Sequence, residues 1–371
     1  MKTWIEIDGA ALSRNFRSLS RLAKPAKTMA VIKANAYGHG LLETAHVLKK
    51  SGAAWFGVDH VDEALELRKA GIKQPILILG YTPLSRLSEA VQKDISLVAY
   101  NLDTFRALAK LKGKKARVHV PIETGLTRQG IGEVELDLVL ACLVQNRGRI
   151  QLEGIHTHFA NIEDTKSRSY ADHQISEYKK AIGKFEAYKL YPTFKHTAST
   201  AASILYSDTH FDLVRTGIGL YGLWPSEDTR GRAQHRLKLE PVLSWKTMVA
   251  QVKSVKRGTP VSYGLTERVR RDSKVAVLPI GYADGFDRVA NSKQGHVLVG
   301  GKRCKVLGRV CMNMTMVDVT DVQNVRPEDE VVLIGKQGKE RITAEELATL
   351  QKTINYEVVT RLNWDIPRKL I

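Results

Sequence analysis

Lys33 ends an apolar run within Ala30-Val31-Ile32-Lys33-Ala34-Asn35-Ala36-Tyr37-Gly38-His39-Gly40. Such a run, closed by lysine and followed by small residues and two glycines, reads as a buried strand over 29–33 that empties into a tight loop. An ammonium is costly to bury there, and an amine stripped of its proton can form a Schiff base. The alternative is a side chain that snorkels beyond the strand into water. Tyr37 places a hydroxyl near Gly38 and Gly40, where backbone can approach a ligand closely, and this cluster suits an anionic group. A second run, Leu213-Val214-Arg215-Thr216-Gly217-Ile218-Gly219-Leu220-Tyr221-Gly222, leaves a strand for a glycine-rich turn whose free amides can form an anion-binding nest. A glycine turn is equally a structural device, and Arg215 equally one half of a salt bridge.

The elements that position these residues form a repeating pattern: a short apolar strand, a small-residue or acidic loop, then an amphipathic helix. Asp8 can cap a helix whose Leu12, Phe16, Leu19 and Leu22 share a face. Further strands are expected at 54–58, 76–79, 97–100, 117–122, 152–156, near Phe194 and at 211–214. About eight strands, mostly followed by helices, match a parallel (β/α)8 barrel better than an open doubly wound sheet. Lys33, Glu123, Arg128, His158, His196 and Arg215 all fall at or just beyond strand C-terminal ends, where barrel active sites lie. His156 and His196 raise a metal, but no carboxylate or thiol stands at ligand spacing with them, so hydrogen bonding at the barrel rim is expected and no metal site. The polar, turn-rich stretch 224–237 reads as a linker or exposed crossing. Beyond it, short strands at 242–255, 274–280, 296–299, 304–307, 315–319 and 330–334, with one strong helix at 343–350, read as a second, mainly β domain.

Length and charge bound the rest. A chain of 371 residues suggests two domains. Its formal charge of +18 could point to nucleic acid, an acidic membrane surface or anionic ligands. The basic residues are scattered, and clusters such as Lys112 to Arg117 and Arg268 to Arg271 lack interleaved aromatics for stacking bases, so no nucleic-acid partner is expected. No signal segment and no run long enough to span a bilayer are visible, which makes the cytoplasm the expected location. Cys142, Cys304 and Cys311 are read as reduced thiols without a disulfide framework or zinc knuckle.

The segment around Lys33 resembles the pyridoxal phosphate attachment site of alanine racemases, and the similarity continues through most of the chain. The resemblance implies an N-terminal TIM-type barrel over 1–235 and a C-terminal β domain over 236–371, with the first strand, about 1–8, joining the β domain. It also implies that Lys33 carries pyridoxal 5'-phosphate as a Schiff base. The phosphate would be held by the Gly217 and Ile218 amides and the hydroxyls of Tyr37, Thr200 and Tyr356. Arg215 would face the pyridine nitrogen. Because arginine keeps its proton, it can donate a hydrogen bond without handing the proton over, which weakens the cofactor as an electron sink and favours prompt reprotonation at Cα. His158 would pack on the ring.

Racemisation needs an acid/base group on each face of a planar intermediate. By resemblance these are Lys33 and Tyr263, the latter from the opposite subunit of a homodimer with shared active sites. Arg128 would bind the substrate carboxylate, assisted by the Met312 backbone from the other subunit. Tyr282 would gate the entrance, with Arg288 and Asn313 beside it. Two departures stand out. Pro121 occupies the place of a lysine, sometimes carbamylated, that orients the substrate arginine, leaving Glu123 or a bound anion to hold Arg128. Asn313 replaces an aspartate. The expected activity is interconversion of L- and D-alanine, supplying D-alanine for peptidoglycan, with a serine or broad-specificity racemase as the alternative. A decarboxylase of the related group would carry a cysteine-containing substrate motif that this sequence lacks, and a non-catalytic cofactor carrier would be a single barrel.

Overall fold

The computed structural model describes residues 1–163 and 166–371. By internal contacts the chain falls into two compact units, one of Ala10–Ala36 and Thr44–Pro241, the other of Met1–Gly9, Tyr37–Glu43 and Val242–Ile371.

Strand β1 (Thr3–Ile7) belongs to the second unit, and the next eight strands build the first. These are β2 (Lys27–Val31), β3 (Trp55–Val58), β4 (Ile76–Ile78), β5 (Ser96–Val98), β6 (Ala116–Pro121), β7 (Ile150–His156), β8 (Phe194–His196) and β9 (Leu213–Thr216). All their pairings are parallel, in the order β8-β7-β6-β5-β4-β3-β2-β9. Between the outer strands, Asp212 N donates to Lys195 O (3.0 Å) and Arg215 N to Ala198 O (2.9 Å), so the sheet closes on itself as a TIM-type barrel. Such strands are covered on both faces and therefore read as unbroken apolar runs instead of alternating ones. Helix α1 (Gly9–Ala23) buries Leu12, Phe16 and Leu19 on the expected face. Its buried Asn15 adds a tie that periodicity does not reveal, donating to Leu220 O and Glu240 O and accepting from Glu240 N.

Three expectations change here. The strand before Lys33 covers Lys27–Val31, so the lysine lies outside it. The stretch 224–237 holds a helix, Glu227–Ala233, because Ser226 caps its first turn by accepting from Thr229 N at 3.0 Å. The C-terminal part is more helical than expected, with Arg288–Gln294 and Asn355–Thr360 in addition to Ala344–Gln351.

In the second unit β1 pairs antiparallel with β10 (Leu243–Met248) and parallel with Arg368–Leu370, within a seven-stranded sheet. A three-stranded sheet of Gln251–Val255, Ser273–Leu278 and Thr315–Asp318 and a short hairpin of Pro260–Val261 with Glu267–Arg268 complete its β structure. Gly38 also lies here: at φ 81° a β-carbon on it would come within 2.0 Å of Val359 O, so only glycine fits.

Candidate active site

After Ile32 the barrel chain turns with the wrong hand. Ala34, Asn35, Ala36 and Tyr37 have φ of 54°, 52°, 53° and 54°, a left-handed turn made without glycine. Each such residue costs about 1–2 kcal/mol, so the surroundings must impose the conformation. Glu63, only 4 % exposed, does part of this: its carboxylate accepts from Asn35 N at 3.0 Å and from Asp59 N at 2.8 Å. It thereby fastens the turn to the loop after β3. Lys33 begins the turn. The buried ammonium expected from the sequence is replaced by a half-exposed side chain whose Nζ lies 3.6 Å from Asp59 Oδ1. A pair this exposed contributes at most about 1 kcal/mol, so it orients the amine more than it stabilises the fold.

Arg215, penultimate in β9, is the most completely held cation of the barrel site. Nη1 donates to His196 Nδ1 (2.7 Å) and His196 O (3.0 Å), while Nη2 donates to Thr157 O (2.9 Å), His158 Nδ1 (3.0 Å) and Thr197 O (3.0 Å). The four Nη hydrogens are thus engaged, and among the described residues Nε–H has no acceptor. Burial lowers the Arg215 pKa to about 10, which still leaves the guanidinium charged at neutral pH. Burial, then the charges of Arg215, Arg128 and Lys33, push His158 down to about 3. Arg215 touches this imidazole directly, Nη2 to Nδ1 at 3.0 Å, while Arg128 and Lys33 act on it through their charge. Burial likewise holds His156 and His196 well below the usual histidine range, so all three rings are neutral. His196 is no rim residue: it is fully buried, and its ring stacks on His156 at 4.7 Å and 13°.

Beyond Arg215 the chain enters a 3₁₀ turn, Ile218–Tyr221, whose first amides have no acceptor within the turn. Gly217 N donates to Thr200 Oγ1 at 3.0 Å, so this amide, expected to face a ligand, is already engaged, while the Thr200 hydroxyl hydrogen stays free to donate elsewhere. Beside it the buried Ser199 Oγ has no partner among the described residues. Free amides, a hydroxyl hydrogen and an unpartnered buried hydroxyl make a cradle that fits an oxyanion. Ser199 is the one member the sequence did not single out.

Arg128 stands exposed in the loop after β6, and among the described residues its guanidinium has no hydrogen-bond partner. Glu123 does not hold it: that carboxylate accepts from Gly125 N (2.5 Å) and Thr127 N (3.0 Å), shaping the loop instead.

The remaining candidates lie in the second unit. Tyr37 and Tyr356 face each other with ring centroids 6.2 Å apart. Tyr263 is 65 % exposed on a strained turn, with Ser262 at φ 66° and Leu265 at φ 51°. Ser262 Oγ donates to Arg309 O at 2.5 Å, which sets this turn against the 308–314 loop. Tyr282 N donates to Cys311 O (3.1 Å) and Ala283 N to Met312 O (3.0 Å), so the Tyr282 segment flanks the same loop. Arg288 lies over the Tyr282 ring, 5.9 Å from its centroid. Tyr263, Leu265, Tyr282, Met312 and Met314 are large exposed apolar residues on these three adjoining segments, and Asn313 is exposed among them. Such a patch marks an interaction surface.

Comparison with known proteins follows the same division. The family model described as "Alanine racemase, N-terminal domain" matches residues 7–225, and "Alanine racemase, C-terminal domain" matches 242–370. An alanine racemase of Methanococcus maripaludis is 38% identical over 98% of this chain and 97% of its own length. Alanine racemase 2 of Caldanaerobacter subterraneus is 41% identical, covering 99% and 94%. Among solved structures, the alanine racemase of Bacillus anthracis with bound L-Ala-P superposes with a TM-score of 0.92 at 35% identity, over 100% of this chain and 95% of that one. That of the D-cycloserine producer Streptomyces lavendulae gives 0.93 at 33%, covering 100% and 97%. Matched along its whole length in both sequence and fold, the chain belongs to the alanine racemase family.

Proposed function

We propose that this protein interconverts L-alanine and D-alanine with pyridoxal 5'-phosphate, as a homodimer whose active sites are shared. The observation that carries the reading is Arg215, with its four Nη hydrogens engaged and Nε–H left over at the C-terminal end of a barrel strand beside His158. A single fixed donor of permanent charge is what an unprotonated pyridine nitrogen needs. The Ser199 and Thr200 hydroxyls and the Ile218 amide fit the phosphate, Gly217 holding Thr200 in place through its own amide, and Tyr37 and Tyr356 would add hydroxyls. When bound, the cofactor supplies a conjugated sink for the electron pair released at Cα.

The chain's own residues do the rest. Arg128 and the backbone amide of Met312 of the partner subunit bind the substrate carboxylate. Lys33 Nζ holds and moves a proton at one face of Cα, and the phenol of Tyr263 of the partner subunit does so at the other. Arg215 donates without releasing its proton, which limits charge delocalisation into the ring and favours quick return of hydrogen to Cα. Tyr282, with Arg288 against it and Asn313 nearby, narrows the entrance. The exposed patch around Tyr263 and Met312 supports the dimer, since these loops are unburied within their own chain. Functionally we divide the chain near residue 235, barrel before and β domain after, with residues 1–8 assigned to the latter. Three free cysteines suit the cytoplasm, where D-alanine would be made for peptidoglycan.

The test is incubation of the purified protein and pyridoxal 5'-phosphate with a panel of L-amino acids in deuterium oxide, reading Cα exchange and chirality. Exchange and racemisation of alanine support the reading. No exchange of alanine, or faster turnover of serine, overturns it.

A further inference from the structure

The guanidinium of Arg215 is the head of a hydrogen-bond chain that runs down the inside of the barrel. His196 Nε2 lies 2.8 Å from His119 Nδ1, and His119 Nε2 lies 3.3 Å from Glu153 Oε2. Ser96 Oγ donates to the same carboxylate oxygen at 2.5 Å, and Arg117 Nε stands 3.8 Å from the other. Four strands contribute in turn: Arg215 from β9, His196 from β8, His119 from β6 and Glu153 from β7. His119, His196 and Ser96 are wholly buried, and Arg215 and Glu153 nearly so.

The direction of every bond follows from the first. An arginine only donates, so His196 Nδ1 must accept and the proton of that ring sits on Nε2. That proton is given to His119 Nδ1, so His119 also carries its own on Nε2 and gives it to Glu153. The chain ends at a group that only accepts, and no donor faces a donor along it. The rings are locked in plane as well, His196 against His156 and His119 stacked on Phe194 at 8°. Gly154 makes the room: a β-carbon there would lie 2.3 Å from His119 Nδ1. A barrel interior is ordinarily filled by branched apolar side chains, and a buried carboxylate contributes little net stability. A polar column here points to a task.

We propose that Glu153, acting through His119 and His196, is a positioning residue for Arg215: it fixes both imidazoles as neutral Nε2–H tautomers, which keeps the guanidinium fork engaged and turns its Nε–H toward the site. The consequence for catalysis rests on the assignment of Arg215 to the cofactor ring; the chain of tautomers does not.

The holoenzyme, labelled with [15N]histidine and assigned with H119Q and H196Q, reports both tautomers by long-range proton–nitrogen correlation. In the unaltered protein both rings should be neutral Nε2–H forms. E153L removes the final acceptor, and G154A displaces His119 without removing a polar group. Each should abolish the single tautomer at His196 and lower kcat about tenfold with KM for alanine changed less than about twofold. E153Q, whose amide oxygen accepts the same proton, should restore the tautomers and recover at least about threefold of the E153L loss. Should E153L not fold, G154A carries the same comparison. Other tautomers in an unaltered enzyme that racemises alanine, or E153L and G154A with both tautomers and kcat intact, overturn the proposal. A protein that binds no pyridoxal phosphate and exchanges no alanine overturns the functional reading instead, while the tautomers still decide the chain.

Discussion

Glu63→Gln should loosen the turn that carries Lys33. Four non-glycine residues at φ between 52° and 54° cost about 4–8 kcal/mol together, at 1–2 kcal/mol each. Glu63 is a buried acceptor for two amides, Asn35 N and Asp59 N, and hydrogen bonds to a charged group are worth about 1.5–3 kcal/mol each. A glutamine has one oxygen to offer, so one amide meets an NH2 group and goes unsatisfied. The loss of that bond sets a destabilisation of about 2–3 kcal/mol, a quarter or more of what the turn requires. Urea unfolding of the cofactor-free protein measures it, and titration with pyridoxal 5'-phosphate should show affinity at least about tenfold weaker, because 1.4 kcal/mol of misplacement is one decade. A Glu63→Gln protein with unchanged unfolding midpoint and affinity would show that Glu63 does not impose the left-handed turn.

Other outcomes follow from the same geometry. Ala34→Gly, harmful in an ordinary helix, should be neutral or stabilising by up to about 1 kcal/mol in urea unfolding, since glycine adopts φ 54° without strain. His119, His156, His158 and His196 all titrate lower in the fold than their ordinary 6.5, burial being the main cause and His158 reaching about 3. Below about pH 6.5 the unfolded chain therefore binds more protons than the fold, so stability is full above that value and is lost as pH falls toward the folded values. Each ring adds up to about 1.4 kcal/mol per pH unit, and His156→Phe should reduce the slope of unfolding free energy against pH by up to that amount as pH falls below about 6.5. Tyr263→Phe should slow Cα exchange from L-alanine far more than from D-alanine, and equal loss from both would contradict the assigned faces.

Much of the candidate site is legible in the sequence because its residues carry their chemistry in their own type. A lysine at the close of an apolar run and an arginine before a glycine turn announce themselves, and the eight-strand pattern places both at the same end of a barrel. What the sequence hid is set by residues distant along the chain. Nothing in Ala34-Asn35-Ala36-Tyr37 demands positive φ; an acid 28 residues after Asn35 enforces it. His196 passed for a rim residue because its partners, His119 and Arg215, sit on other strands and only the barrel closure brings them within 2.8 Å. An acid near an arginine suggests a salt bridge, which makes Glu123 one of two candidates, beside a bound anion, to hold Arg128, yet two loop amides claim its carboxylate first. Glycine and proline spacing marked the longer β strands, whereas the strands Pro260–Val261, Glu267–Arg268, Glu340–Ile342 and Arg368–Leu370 and the helix Asn355–Thr360 are too short for their periodicity to stand out, and the expected strand 242–255 divides into Leu243–Met248 and Gln251–Val255.

The claim that one active site draws Lys33 and Tyr263 from different copies is tested most directly by mixing two inactive variants. Lys33→Ala and Tyr263→Phe, each purified, are unfolded together, refolded with pyridoxal 5'-phosphate and assayed for racemisation of L-alanine. In a mixed dimer one site recovers both residues and the other has neither, so random pairing should restore about a quarter of the unaltered activity. A mixture as inactive as its components, with mixed dimers demonstrably formed, would place both residues in the same copy and contradict the account.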